Sequence, residues 1–189
     1  MRDIEVPGPP STFEAPRPTY EIDVPNAEDI PRLLELWEAQ YALHHELDSN
    51  YYVPFTDDVR AEVEARLHDE VQGGETHTFI AREGGSGIGF VNFGIHENDS
   101  LDTKIKMSGE VQEIFVTPEA RTRGVGDALM GKAEDYFVQQ GLTVSSLMCH
   151  AANLAALSFH ARQKYVPKQI VHYKDLAPTP DADVPAQRS

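Results

Sequence analysis

Cysteine, basic side chains and long apolar runs are all scarce in this sequence. The 189 residues include one cysteine, Cys149, and a single thiol cannot form a disulfide within its own chain. No stretch reaches the roughly 18 apolar residues that a membrane-spanning helix needs, and the first residues contain no apolar segment of a secretory signal. We therefore expect a cytoplasmic protein that has no membrane partner.

The charge of the chain is strongly negative and unevenly spread. There are 16 Lys and Arg against 31 Asp and Glu, a net charge of -15. Binding to a nucleic-acid backbone needs clustered basic residues, so we expect no nucleic-acid partner. Residues 20–76 hold fifteen acids and three bases, whereas residues 118–175 hold five acids and seven bases. Such an acidic stretch is typical of a solvated surface, but it also attracts cations.

Proline marks the two ends of the chain. Eight of the 13 prolines lie in residues 1–19 and 176–189, and so dense a set is incompatible with a helix or a central strand. We predict that these segments are flexible tails. Residues 20–175 between them are enough chain for one domain with its own core.

Strand-like and helix-like patterns alternate through residues 20–175. Helical spacing of apolar residues predicts a helix from Ala27, and others over Asp57–Val71, Gly124–Gln140 and Asn153–Gln163. The predicted strands are Tyr20–Val24, Thr76–Arg82, Ile88–Ile95, Lys104–Val116, Leu142–Cys149 and Tyr165–Tyr173. A hairpin followed by a strand, helix and strand predicts a mixed, mostly antiparallel sheet with one parallel pair. The fold class is therefore α/β (α+β), with about six to seven strands and about four helices.

The segment RTRGVG between the Lys104–Val116 strand and the next helix has the features of an anion site. Several unpaired backbone N–H groups and the positive end of a helix dipole converge there. Gly124 and Gly126 remove side chains that would keep an anion away, and Arg121 and Arg123 add positive charge. The spacing fits neither the P-loop nor the dinucleotide motif. A glycine turn before a helix is also common without any ligand.

This segment resembles the pyrophosphate loop of the GNAT superfamily of acetyl-CoA-dependent N-acetyltransferases. The pattern runs from Val116 and Pro118 through Arg121 to Gly124 and Gly126. A second stretch is similar to a later helix of that superfamily; its matching residues are Asn153, Ala156, Phe159, His160, Lys164 and Tyr165. YEIDVPNAEDIPRLLELWEAQY also looks like its first strand and helix, so about 150 residues are covered.

The resemblance implies where acetyl-CoA would bind. The backbone of Phe115 and Val116 would pair with the pantetheine arm, between two strands of the parallel pair that splay apart. Asn153, Ala156 and Phe159 would line the same arm. The pyrophosphate would be held by the N–H groups of Arg121, Thr122, Arg123, Gly124, Val125, Gly126 and Asp127. No metal is implied, because a thioester is already activated.

Two acids on one predicted strand are candidates for the general base that deprotonates an amine. Glu110 and Glu113 both lie where members of the family carry catalytic or acidic residues. Along a regular strand the two side chains point to opposite faces, so only one faces the site unless a bulge intervenes. An exposed strand acid without a catalytic role is the alternative for either residue.

Two positions depart from the family pattern. His160 stands where the family usually has the tyrosine that protonates the departing thiolate. An imidazolium can supply that proton, but His160 can also be a plain wall of the site. Lys164 stands where the family has glycine, and a left-handed conformation there would strain a lysine by about 1 kcal/mol.

The acceptor pocket is expected to be built from the first two helices and the connection between them. Tyr41, His44, Asp48 and Tyr51 are the candidate residues, and core packing or a solvated face is the alternative for each. The resemblance implies acetyl transfer to a primary amine by direct attack in a ternary complex. The acidic stretch favours a small cationic acceptor. A protein or peptide N-acetyltransferase and a catalytically silent acyl-CoA sensor are the alternatives, and assembly as a homodimer is left open.

Overall fold

A computed structural model describes residues 19–174. Within these residues, four α-helices flank one sheet of five strands in the order β1-β2-β3-β4-β5. The strands are β1 (Glu21–Asp23), β2 (His77–Glu83), β3 (Ser86–Glu97), β4 (Met107–Val116) and β5 (Ser145–Leu147). The helices are α1 (Ile30–Leu47), α2 (Asp57–Val71), α3 (Val125–Gln139) and α4 (Leu154–Arg162). None of these helices is both long and apolar enough to cross a membrane.

The predicted fold class is confirmed, but the predicted strand count is wrong. β1 to β4 pair antiparallel, and β4 pairs parallel with β5. The sheet has five strands within residues 19–174 instead of six to seven. The segment predicted as a last strand, Tyr165–Tyr173, is not one. It contains Pro167, which has no N–H group for a strand ladder.

The predicted tails fall almost entirely outside the described residues. Residues 1–18 and 175–189 are not described, so the limits of the domain stay a prediction. Thr19 lies within the described part, and its hydroxyl donates a 2.6 Å hydrogen bond to Glu83 Oε1 on β2.

The sheet separates two hydrophobic cores. α1 and α2 cover one face, and α3 with part of α4 covers the other. The first core is formed by Ile30, Leu33, Leu34, Leu36, Trp37, Val63, Leu67, Ile80, Phe90 and Phe115. The second is formed by Ala81, Val91, Phe93, Val111, Ala120, Val125, Leu129, Met130, Ala133 and Phe137. Full burial of each large apolar side chain stabilises the fold by about 1.5–3 kcal/mol.

A β-bulge interrupts the pairing of β4 with β3. Asn92 pairs with Glu113 and the next residue, Phe93, pairs with Val111, so Gln112 is an extra residue in β4. An extra residue reverses the alternation of side chains beyond it. Val111 consequently belongs to the core on the α3 side and Phe115 to the core on the α1 side. In a regular strand these two residues, four positions apart, would point to the same face.

Gly109 allows α3 to approach the parallel pair closely. A Cβ atom at Gly109 would lie 2.1 Å from Cγ of Phe137, so a larger residue is excluded there.

Gly109 pairs with Ser145 and Val111 with Leu147, which are the two ends of the β4–β5 ladder. β5 is therefore much shorter than the predicted Leu142–Cys149 strand, because pairing ends where the bulge in β4 begins.

The turn that follows α4 contains a lysine in the left-handed conformation. Lys164 has φ +67°, and its N–H group bonds to the carbonyl of Ala161 over 3.0 Å. The N–H group of Tyr165 then reaches back to the carbonyl of His160, also over 3.0 Å. This is the helix-ending geometry that glycine usually adopts. The chain thus has a left-handed turn in which lysine occupies the position that usually favours glycine.

Replacement of Lys164 by glycine should therefore stabilise the protein. Lys164→Gly removes the steric cost of the left-handed conformation but adds chain entropy to the unfolded state, so we expect a net gain of about 0.5–1 kcal/mol in unfolding free energy. Urea denaturation measures this. Ala161→Gly is the matched control on the exposed side of α4, and it should cost about 1 kcal/mol. A loss of stability in Lys164→Gly would contradict the strain.

Candidate active site

A gap opens between β4 and β5 beyond their short ladder. The two strands pair only from Gly109 to Val111 on β4, and the chain after Leu147 is not a strand. The segment of β4 that ends at Phe115 and Val116 therefore has no β5 partner within residues 19–174. The carbonyl of Val116 accepts a 3.1 Å hydrogen bond from Arg121 Nε. This opening lies where the pantetheine arm was predicted.

The loop before α3 presents free backbone N–H groups. Within residues 19–174, those from Thr122 to Asp127 donate to no backbone or side-chain acceptor, and no side chain caps the helix. The loop reaches this shape through two left-handed residues, Thr122 at φ +60° and Gly124 at φ +81°. A Cβ atom at Gly126 would lie 3.3 Å from the ring of Phe159. The predicted loop and the α4 helix are thus in close contact at the opening.

The side chains around this loop are mostly engaged with the protein itself. Arg123 pairs with Glu83 on β2, with one contact of 3.1 Å, and this pairing lowers the pKa of Glu83 to about 2. The positive charge that Arg123 was expected to add to the anion site is consequently already neutralised. Asp127 accepts a hydrogen bond from Gln163. Asn153 caps α4 through a 3.0 Å bond from the N–H group of Ala156.

The bulge in β4 brings both candidate acids to the same face of the sheet. Glu113 pairs with Asn92 and Glu110 with Gly94, and residues two apart on β3 share a face. The bulge that both acids would need in order to face the same side is therefore present. Both acids face the side of α1 and α2.

Glu113 has the environment of a general base. Gln40, a residue of α1 that is only 4% exposed, donates a hydrogen bond to Glu113 Oε2. Burial raises the pKa of Glu113 to about 7, against the opposing effects of the Gln40 hydrogen bond and the positive charge of Arg66. A carboxyl group that titrates near neutrality is suited to accept and return protons. The amide oxygen of Gln40 has no partner within residues 19–174.

His160 is buried on α4 beside Phe159, the residue that contacts the loop before α3. It is 7% exposed, and its ring lies 5.2 Å from that of Phe159 and 6.1 Å from that of Tyr165. Burial lowers the pKa of His160, so the ring is neutral at pH 7. Within the described chain its Nδ1 atom has no hydrogen-bond partner.

The predicted acceptor residues gather around a group of aromatic rings. The rings of Tyr41 and Phe55 meet edge to face, with centroids 5.1 Å apart. The ring of His44 stacks on that of Tyr52, with centroids 4.7 Å apart. Tyr52 also contacts Tyr51, with ring centroids 4.9 Å apart. Burial and, less strongly, the charge of Glu113 raise the pKa of Tyr41. Tyr41 follows directly on α1 after Gln40, which bonds the Glu113 carboxylate, so this end of the aromatic wall lies beside the candidate base.

Three residues that the sequence prediction missed complete this arrangement. His150 lies 3.4 Å from Asp48 Oδ2 and 5.5 Å from the ring of Tyr51. Tyr173 places its hydroxyl 3.4 Å from that of Tyr51. Gln40 lies one helical turn after the buried Trp37, and that spacing was a signal for its burial. No local pattern indicates His150 or Tyr173, because both come from distant segments of chain.

The described residues offer no obvious metal centre. Within residues 19–174 no three His, Cys, Asp or Glu side chains are grouped as metal ligands would be. Cys149 is a partly buried free thiol, and burial raises its pKa.

Comparison with known proteins identifies the family. The acetyltransferase (GNAT) family profile matches residues 40–165, which is more than half of the chain. This protein therefore belongs to the GNAT acetyltransferase family.

Relatives and a solved structure agree with this assignment. An uncharacterized N-acetyltransferase of Methanocaldococcus jannaschii is 26% identical over 155 residues, covering 81% of this chain and 63% of the relative. The chain thus spans about three fifths of that relative's length. The uncharacterized N-acetyltransferase YhfO of Bacillus subtilis is 32% identical over 111 residues, covering 58% of this chain and 72% of YhfO. A solved structure of the aminoglycoside N-acetyltransferase AAC(6')-Iy in complex with CoA is 18% identical to this chain, with a TM-score of 0.64. The match covers 84% of this chain and 95% of that one and shows that the two share a fold.

The raised pKa of Glu113 predicts a pH-dependent gain of stability in Glu113→Gln. The folded carboxyl holds its proton up to about pH 7, whereas an ordinary glutamate loses it near 4.5. The free energy of unfolding therefore falls as pH rises through this window. We expect Glu113→Gln to be more stable than the unsubstituted protein by on the order of 2 kcal/mol at about pH 8, with little difference at about pH 4.

Chemical denaturation at the two pH values measures the difference. Glu110→Gln is the matched control, because it removes the same charge from the same face of β4 without touching the carboxylate that Gln40 contacts. An equal change in Glu113→Gln at both pH values would show that ionisation is not the cause.

Proposed function

We propose that this protein transfers an acetyl group from acetyl-CoA to the primary amine of a small cationic molecule. The observation that carries the proposal is the position of Glu113. It is a carboxyl group with a pKa of about 7, it lies on the strand that borders the gap, and it adjoins the aromatic wall. Acetyl-CoA is the donor because the loop and the gap fit its two recognisable parts.

The fit to acetyl-CoA rests on backbone groups. The free N–H groups from Thr122 to Asp127 suit a pyrophosphate at the positive end of α3. The unpaired edge of β4 near Phe115 and Val116 suits the amide groups of pantetheine, which extend a sheet as a strand does. Arg121 bonds the Val116 carbonyl through Nε only, so its Nη groups are the ones left to approach the phosphates, whereas Arg123 is paired with Glu83.

The chemical step is direct attack of the amine on the thioester. A primary amine has a pKa near 10 and must lose a proton before it can attack. Glu113 accepts that proton as the C–N bond forms. The C–S bond then breaks, and the departing thiolate takes a proton. An ordinary thiol titrates near 8.5, so protonated Glu113 is acidic enough to return the proton to sulfur.

His160 has a supporting role in this scheme. Its ring is neutral at pH 7 because burial lowers its pKa. A neutral imidazole still carries one N–H donor, which can bond to the departing sulfur. We therefore assign proton transfer to Glu113 and hydrogen bonding at the sulfur to His160. Glu110, on the same face, contributes negative charge that favours a cationic acceptor.

The acceptor wall combines aromatic rings with acids. Tyr41, Tyr51 and Tyr52 present faces to which an ammonium group is attracted. Asp48 and Glu113 add negative charge, and residues 20–76 as a whole carry a net charge of -12. The similar fold of an aminoglycoside N-acetyltransferase supports a small amine acceptor. A peptide acceptor and a silent acyl-CoA sensor are the competing functions.

An acceptor panel tests the function. Purified protein is incubated with acetyl-CoA and either polyamines, aminoglycosides or peptides with a free N-terminus, and the released thiol is measured. We expect the polycationic small molecules to have the highest kcat/KM. Their advantage should shrink as salt is raised from about 0.1 M to 1 M, because the screening length falls from roughly 10 to 3 Å.

The Glu113→Gln variant serves as the catalytic control in the same assay. Loss of a general base should lower kcat by a factor of about 100 or more, while the affinity for acetyl-CoA stays normal. Glu110→Gln should have a much smaller effect on kcat. Turnover on peptides alone would favour the peptide acetyltransferase, and binding of acetyl-CoA without any turnover would favour the sensor.

Replacement of Gly126 tests the cofactor loop. Gly126→Glu places a bulky anionic side chain where Phe159 already lies 3.3 Å from a Cβ position, and opposite the expected pyrophosphate. We expect the Kd for acetyl-CoA to rise by roughly 100-fold or more, as measured by calorimetry. Gly131→Glu is the matched control one and a half turns along α3, where a Cβ meets nothing within 4 Å. Retained affinity in Gly126→Glu would rule the loop out as the pyrophosphate site.

A further inference from the structure

Arg66, on α2, joins that helix to both strands around the candidate base. Its Nη2 group donates hydrogen bonds to the side chains of Asn92 on β3 and Gln112 on β4. Asn92 is the cross-strand partner of Glu113, and Gln112 is the bulged residue just before it. Arg66 therefore binds the neighbours of Glu113 on both strands.

Arg66 is itself held by a partly buried network. Its Nε donates a 3.0 Å hydrogen bond to Glu70, whose side chain is only 3% exposed. Glu70 also accepts bonds of 2.9 Å from Asn92 Nδ2 and 2.7 Å from the Thr78 hydroxyl. The guanidinium lies over the ring of Trp37, 5.6 Å from its centroid. A network whose groups bond one another restricts the movement of each member, so Arg66, although 36% exposed, is held by Glu70, Asn92 and Gln112.

We propose that Arg66 is a positioning residue for the transfer reaction: it fixes the bulge that places Glu113 against α1, and it supplies a positive charge to the Glu113 carboxylate. This inference rests on the proposed role of Glu113 as the base. A bulge leaves one residue without a ladder partner, and Arg66 bonds the side chain of that residue. Lysine cannot replace it fully, because only a guanidinium is a rigid fork with several donors.

Burial, a hydrogen bond from Gln40 of α1 and the positive charge of Arg66 of α2 act on Glu113. The charge of Glu113 in turn acts on Tyr41 and Tyr52. The other titratable groups around these tyrosines and on this face are Glu62, Asp48, Cys149 and Glu110. Burial raises the pKa of Glu113, and the charge of Arg66 opposes that rise. Removal of Arg66 should therefore move the titration of Glu113 to higher pH.

The direct test is the titration of Glu113 in the full chain. Glutamate is labelled with ¹³C at its carboxyl carbon, and the Glu113 signal is assigned by its loss in Glu113→Gln. In Arg66→Met we expect the pKa of Glu113 to rise by roughly one unit, and the acidic limb of the kcat/KM profile to shift by the same amount. Arg60→Met is the matched control, because Arg60 lies on the same helix but stacks on Phe55 at 5.2 Å and pairs with Glu38; it should leave both readouts unchanged.

Arg66→Lys separates positioning from charge. It keeps the positive charge, so the titration of Glu113 should stay close to that of the unsubstituted protein. It cannot bond Asn92, Gln112 and Glu70 together, so kcat should fall about tenfold with an unchanged KM for acetyl-CoA. Full kcat in Arg66→Lys overturns the proposal, and this variant decides the matter if Arg66→Met does not fold.

An unshifted Glu113 titration in folded Arg66→Met likewise overturns the proposal. The titration needs no turnover, so it also separates this inference from the proposed function. If the unsubstituted protein acetylates no amine while Arg66→Met still shifts Glu113, the proposed reaction is wrong and the link between Arg66 and Glu113 stands.

Discussion

The extra residue at Gln112 in β4 is the constraint on which the site depends. It reverses the alternation of side chains, so Val111 enters the core beneath α3 while Phe115 enters the core beneath α1. The same reversal places Glu110 and Glu113 on one face. Pairing with β5 ends just before the bulge, and the strands separate there. One irregularity thus orients the candidate base and opens the gap beside it.

The residues around Glu113 stabilise a carboxylate that its burial makes unfavourable. Glu113 is a carboxyl group whose burial raises its pKa to about 7, and the charged form is therefore costly in the folded protein. Gln40 from α1 and Arg66 from α2 reduce that cost. Their own positions are set by the core around Trp37 and by the buried Glu70 network. A carboxyl group that titrates near neutrality is thus a property of three packed elements, α1, α2 and β4, rather than of the glutamate alone.

The sequence predicted elements better than it predicted pairings. The Asp57–Val71 helix has the predicted bounds, and α3 and α4 differ from theirs by one residue at each end, because helical spacing and capping are local signals. The predicted strand over Tyr165–Tyr173 was wrong, because the residue pattern indicates strand propensity but does not show whether a neighbouring strand is available to pair with it. Likewise the sequence predicted Arg123 to be a free positive charge, whereas the structure pairs it with Glu83, forty residues earlier in the chain.

The sequence alone determined the family pattern, which three separate segments carry, and it determined the loop before α3 with its glycines, because the signal for that loop lies within a few residues of chain. It also indicated the left-handed strain at Lys164, which the fold contains at φ +67°. Only the tertiary structure decided between a regular and a bulged β4, and with it which acids share a face. It also brought His150 and Tyr173 to the aromatic wall around Tyr51. Those outcomes depend on contacts between distant segments, and no local pattern encodes the burial that sets a pKa.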